Sequence, residues 1–280
     1  MLTSIPIPPG NDSDQPVLCI PATLFHAFPD RTVVLRAADP AAARALLGPQ
    51  VPARVLFLQL TDLTADLGPL CNWAEGLAID LLMADPAAEL PLLYRCTGLL
   101  DRHPVRVTVP LLPGLASAVK LALSLGLAVR LAGHQLTPEV AAQARAALAA
   151  YLHNPTVAQP VEPFHSLLLA FLHDTPVDLW SVLERDPAQV LILDDQGEAV
   201  PDQGPASAMA WREALVAIGV ASGVTTGAPC RDCPWLAPCG GYFQWPRPAD
   251  DCGAQSLFAE LHAAATELRA SLAAFSALPR

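Results

Sequence analysis

Lysine is nearly missing from this 280-residue chain: Lys120 is the only one, and Lys and Arg together number 16 against 27 Asp and Glu. The formal net charge is −11 and no basic run occurs. Both features exclude a nucleic-acid backbone as the ligand, because phosphate binding needs a positive surface. Charged residues make up only 15% of the chain, against about 25% in ordinary domains. No stretch reaches 18 uninterrupted apolar residues, so no helical membrane span is expected. Residues 1–10 contain prolines but neither a basic n-region nor an apolar h-region. No signal peptide is read there, and the expected compartment is the cytoplasm. G-x-G-x-x-G, Walker A, H-E-x-x-H and G-x-S-x-G are all lacking, which removes the sequence basis for dinucleotide, P-loop, zincin and hydrolase chemistry.

What the chain has in excess is apolar material. Hydrophobic residues reach 52% and mean hydropathy is +0.37, above the usual proportion of about 45–50%. A sizeable core is available, and the surplus is explained either by a partner surface or by an Ala/Leu-rich composition. The length allows one large domain or two ordinary ones.

The pattern falls into three parts. Residues 1–50 read as an N-terminal α/β extension, with strands at 17–20 and 32–36 and a helix at 41–47 capped by Asp39. Residues 51–189 alternate strands and helices. Apolar runs at 54–60, 77–83, 105–111 and 127–131 have strand length. Helices are expected at 86–100, at 115–125 ending on Gly126, and from Pro138 to about His153 behind the cap Thr137. A helical segment at 161–185 follows. Nearly continuous apolar strands spaced by helices imply a parallel sheet covered by helices. Four or five βα units build an open doubly wound sheet or a partial barrel. In 190–280, a small hairpin at 190–200 and a helix at 207–218 precede a segment rich in Cys, Gly, Pro and aromatics. An amphipathic helix at 257–275 ends the pattern.

That segment carries the most specific motif. Cys230, Cys233, Cys239 and Cys252 have the spacing C-x2-C-x5-C-x12-C. Four thiolates so close in sequence can enclose one tetrahedral four-sulfur site, which suits an iron–sulfur cluster or zinc. Pro234 and Pro238 stiffen the loop, and Gly240-Gly241 lets the backbone turn sharply. Trp235, Tyr242, Phe243 and Trp245 supply an apolar surround. In a reducing compartment such a cluster of cysteines reads as a metal site rather than as disulfides.

The stretch C-x2-C-P-W-L-x2-C-G-G resembles the SPASM module attached to many radical SAM enzymes. The resemblance covers about residues 190–275 and implies that the preceding βα units form a partial (β/α) barrel of radical SAM type. Two departures define what it implies about function. The C-x3-C-x2-C motif that holds the catalytic cluster of radical SAM enzymes is absent: residues 61–71 after the strand offer Cys71 alone. Cleavage of S-adenosylmethionine is therefore not expected. The family's central C-x2-C-x5-C-x3-C would place its fourth cysteine at Phe243, which implies loss of one auxiliary cluster. Cys230, Cys233, Cys239 and Cys252 match the four ligands of the other. The resemblance thus implies one fully ligated [4Fe–4S] cluster in a non-catalytic redox or scaffold subunit. Its partner would be a catalytic radical SAM enzyme or a peptide substrate, in peptide maturation or cofactor biosynthesis. The competing expectation is an independent enzyme or binding protein with structural zinc on the same cysteines.

Weaker candidates remain. Glu162, His165 and His173 share nearly one face if helical and could hold a single metal ion, although solvated or core histidines are the ordinary outcome. Gly133-His134-Gln135 follows a strand, where α/β proteins place ligands. Asp62 and Asp66 are a carboxylate pair in the loop before Cys71. Cys19, Cys71 and Cys96 read as buried small apolar residues.

Overall fold

A computed structural model describes residues 15–200, 211, 230, 232–246 and 252–276. Eight parallel strands form one sheet: β1 (Val17–Pro21), β2 (Val33–Ala37), β3 (Val55–Leu60), β4 (Ala78–Leu82), β5 (Val105–Pro110), β6 (Ala128–Ala132), β7 (Val161–Glu162) and β8 (Val190–Ile192). Their spatial order is β7-β6-β5-β4-β3-β2-β1-β8. The chain steps from neighbour to neighbour through seven strands and returns to place β8 beside β1. Curled on itself, this α/β sheet is a partial β/α barrel.

Side-chain alternation gives the sheet two chemically different faces. Leu18, Ile20, Leu35, Leu58, Leu60, Ile79, Leu81 and Val107 join the main core under the helices. Val17, Cys19, Val34, Phe57 and Val190 form a second, smaller cluster on the opposite, inner face. The outer helices include α1 (Pro40–Leu47), the single turn α2 (Gly68–Cys71), α3 (Leu115–Ser124), α4 (Pro138–His153), α5 (Phe164–His173) and the single turn α6 (Leu179–Val182). Caps fall where the sequence puts them. The Asp39 carboxylate accepts from Ala41 N, and the Thr137 hydroxyl accepts from Val140 N. Gly126 follows α3 with φ +81°, a conformation that costs glycine little.

Several elements differ from expectation. Within residues 1–50, the expected strands appear as β1 and β2, and both belong to the common sheet. The expected 190–200 hairpin forms, with Leu193 bridged to Ala199 and Val200 N donating to Ile192 O, but the other edge of its first strand pairs in parallel with β1, which was not expected. The helix expected at 86–100 is 3₁₀ over Leu90–Leu99. Pro91 lacks an N–H and its ring would clash with the carbonyl four residues back in an α-helix. The 161–185 segment contains β7 before α5 and α6. The helix expected at 207–218 lies outside the described residues except for Trp211. Near the C-terminus, Leu236–Cys239 forms one helical turn, and Gln255–Ser276 forms the long final helix packed on α5. Among the described residues no helix is long and apolar enough to cross a membrane.

Candidate functional site

The turn from Cys230 to Cys233 is closed by Cys233 N donating to Cys230 O at 3.3 Å, and Leu236 N then donates to Cys233 O at 3.2 Å. The helical turn that follows delivers Cys239, after which Gly240 and Gly241 adopt φ +58° and +73°. A β-carbon on Gly240 would stand 2.9 Å from both Asp178 Oδ1 and Trp180 Cδ1, so glycine is required for close approach as well as for φ. Trp180 Nε1 donates to Gly240 O at 3.0 Å, and Trp211 Nε1 donates to Gly241 O at 3.1 Å. Two indoles thus fix the loop to its surroundings.

The consequence is convergence. Cys230, Cys233, Cys239 and Cys252 all line one small chamber. Its walls include Trp235, Phe243 and Phe258. Trp235 stacks on Phe258 with centroids 5.9 Å apart, extending an apolar seal onto the final helix. Burial pushes the Cys230 thiol up to about 11 and the Cys239 thiol up to about 12. The neighbouring cysteines push in the same direction for both, while backbone N–H groups of Phe243 and Tyr242 donate toward the Cys239 sulfur and oppose the rise.

Four thiols line one mostly apolar chamber, with N–H donors directed at the Cys239 sulfur, and soft sulfur donors of this kind are what thiophilic centres use. The space among them is small, about 10 Å³. Among the described residues, no three His, Cys, Asp or Glu side chains are arranged to hold a metal ion as they stand. Zinc would need the sulfurs at about 2.3 Å from one centre. That requires side-chain rotation.

The other sequence candidates are placed less suggestively. His165 Nδ1 lies 2.8 Å from the Tyr151 hydroxyl, the Glu162 carboxylate accepts from Ser166 N and Oγ, and His173 is exposed in the last turn of α5. The His134 ring lies 4.3 Å from the Tyr242 ring and 5.3 Å from that of Trp180, packed against the cysteine module. Asp62 and Asp66 each serve their own turn, accepting from Thr64 N and Gly68 N. Cys19 and Cys96 are buried, and Cys71 is half-buried with its thiol 3.6 Å from Leu67 O.

Sequence reasoning missed the inner face of the barrel. Asp80 on β4 is fully buried, and its carboxylate accepts from Arg106 Nη2 at 2.9 Å, Arg130 Nη2 at 2.8 Å, Gln59 Nε2 at 3.0 Å and Thr108 Oγ1 at 2.7 Å. Glu184 closes the network, receiving both Arg106 nitrogens, at 2.7 and 3.1 Å, and Arg130 Nη1. Glu184 has φ +57°, a strained backbone for a non-glycine residue, and it completes two ion pairs. Burial alone would raise the Asp80 pKa. Arg106 and Arg130 outweigh it and hold the carboxyl well below the usual carboxylate range. The signal was present in the sequence: β2, β4, β5 and β6 each carry charged residues, Arg36, Asp80, Arg106 and Arg130, within otherwise apolar runs.

No protein-family model, curated protein or solved structure matches this chain.

Proposed function

We propose that the chain is an iron–sulfur protein holding one [4Fe–4S] cluster on Cys230, Cys233, Cys239 and Cys252. In this reading it works as a non-catalytic redox or scaffold subunit of radical SAM type beside a catalytic partner, in peptide maturation or cofactor biosynthesis. The observation that carries the reading is the convergence of all four cysteines on one chamber with aromatic walls. Their spacing and the resemblance to the SPASM module support it further. When bound, such a cluster would supply one-electron transfer or a structural cross-link. The chain's own residues bind it through four thiolates, limit water through Trp235 and Phe258, and direct backbone N–H groups at Cys239, a known influence on potential. With all four cysteines used, no iron position is left for a substrate.

Anaerobic purification followed by metal and sulfide analysis tests this. The expected content is about four iron and four sulfide per chain for this cluster type. Cys233→Ala should lose it, while Cys96→Ala, remote in the barrel core, should retain it. The protein alone, given dithionite and S-adenosylmethionine, should yield no 5′-deoxyadenosine above background. One equivalent of zinc without sulfide would replace this reading with a structural zinc site on the same cysteines.

A further inference from the structure

The ion network of the inner face leaves two arginines over. Arg106 and Arg130 are neutralised by Asp80 and Glu184. Arg36 donates through Nη2 only to a neutral acceptor, the Leu193 carbonyl, and its buried Nε has no partner among the described residues. Arg185 is half-buried, and its side chain makes no hydrogen bond or ion pair among the described residues. Arg36 and Arg185 both line one chamber, about 200 Å³ in volume, together with Cys19, Gln59, Thr108, Arg130 and Glu184, whose carboxylate is already taken by Arg106 and Arg130. Arg36, Arg130 and Arg185 all act electrostatically on the Cys19 thiol. Burial dominates there and keeps the thiol protonated, with its pKa pushed up to about 11. No thiolate therefore serves as their counter-ion. In a chain of net charge −11, this face carries Arg36, Arg106, Arg130 and Arg185 against Asp80, Glu184 and Glu162, the last on β7 in register with Arg130.

A second, wider cleft of about 670 Å³ adjoins it, meeting the carboxyl ends of β1, β2 and β3 at Pro21, Ala37 and Thr61 and sharing Arg36 and Val200 with the inner chamber. The carboxyl ends of parallel strands are where α/β folds take their ligands. The outer cleft carries Asp39, Asp194 and Asp195. Asp39 and Asp194 already accept backbone N–H groups. An acidic rim over a cationic floor disfavours a polyanion and favours a compact ligand with one anionic group. The inner volume corresponds to roughly seven waters at about 30 Å³ each.

We propose that the inner chamber binds a small organic anion, a short-chain carboxylate or a phosphate ester, whose anionic group is held by Arg36 and Arg185. Guanidinium forks match both oxyanions in geometry and charge. The site is independent of the cysteine centre.

The test is calorimetric titration of the full chain with sodium phosphate and, separately, sodium succinate, each against sodium chloride at equal ionic strength. Saturable binding of at least one probe is expected, and the two arms separate phosphate from carboxylate recognition. Arg185→Gln and Arg36→Gln should each weaken that binding at least tenfold. Arg95→Gln should not, because Arg95 is exposed and donates to the Thr64 and Ala65 carbonyls. The Arg185 side chain has no hydrogen-bond or ion-pair partner to lose among the described residues, so its variant should melt within a few degrees of the parent and keep the test valid if Arg36→Gln misfolds. Absence of saturable binding by both probes would overturn the proposal, as would unchanged affinity in Arg185→Gln.

Discussion

Asp80 shows how much of this barrel depends on single charged residues. Its carboxylate accepts from four neighbours and is out of contact with water. Asp80→Asn keeps the shape but leaves Arg106 and Arg130 sharing Glu184 alone. Breaking a buried ionic network by removing one partner costs about 3–5 kcal/mol, and urea unfolding at pH 7 should show a loss of that order. The pH dependence follows from the direction of the shift. The folded carboxyl titrates below its unfolded value of about 3.9, so its stabilisation is fully present above that value and is lost as pH falls toward the folded pKa. The stability gap between parent and variant should stay constant from pH 7 to about pH 5 and narrow below about pH 4. A gap that widened on acidification would mean that another group carries the network's charge. These residues were legible individually but not as a site. Arg36, Asp80, Arg106 and Arg130 come from four strands, and only the register Arg36–Gln59–Asp80–Arg106 brings the first three to one level, with Arg130 two residues further along beside Thr108.

Elements were most legible where a cap, a turn residue and an apolar run agree. Helix α4 begins at Pro138 behind Thr137 and ends at His153, as the sequence predicts, because the hydroxyl, Pro at N1 and Glu139 in the first turn all favour the same start. Thr137→Ala should remove the cap on Val140 N and cost about 1 kcal/mol, read as a lowered urea midpoint at unchanged slope. Thr137→Ser should restore most of it, since the hydroxyl does the work, whereas an unaffected Ala variant would show that packing alone sets the helix start. Elements were least legible where tertiary pairing decided the outcome. Strand β7 has two residues and lies in a stretch of helical composition, so no local period announces it. Strand β8 opens the hairpin that the sequence predicts, but its parallel pairing with β1, more than 160 residues earlier, has no local signal. The cysteine loop is an intermediate case. Its spacing predicts only that the cysteines lie near one another; that Gly240 packs closely on Trp180 is visible only in the fold.

At the scale of the molecule, the apolar surplus is mostly absorbed by the two faces of the sheet, but one stripe is left outside. On the final helix Leu268, Leu272 and Phe275 are 39%, 52% and 76% exposed. They recur at helical spacing, and Leu169 on α5, the helix that packs against it, is 40% exposed. Upstream, the same helix carries Leu257, Phe258 and Leu261 into the core beside the cysteine chamber. One continuous element therefore connects the proposed cluster to an apolar surface, and such surfaces commonly mark protein interfaces. If the chain serves a catalytic radical SAM partner, this stripe is where that partner should dock. Paired substitutions Leu272→Glu and Phe275→Glu fall on exposed positions, so they should leave the melting temperature and the iron and sulfide content unchanged. They should abolish co-purification with a co-expressed radical SAM partner. Retained co-purification would move the interface elsewhere on the molecule. A parent chain that recovers no such partner and turns over a small molecule by itself would remove the subunit reading, and the inner barrel would then be the first place to look for that chemistry.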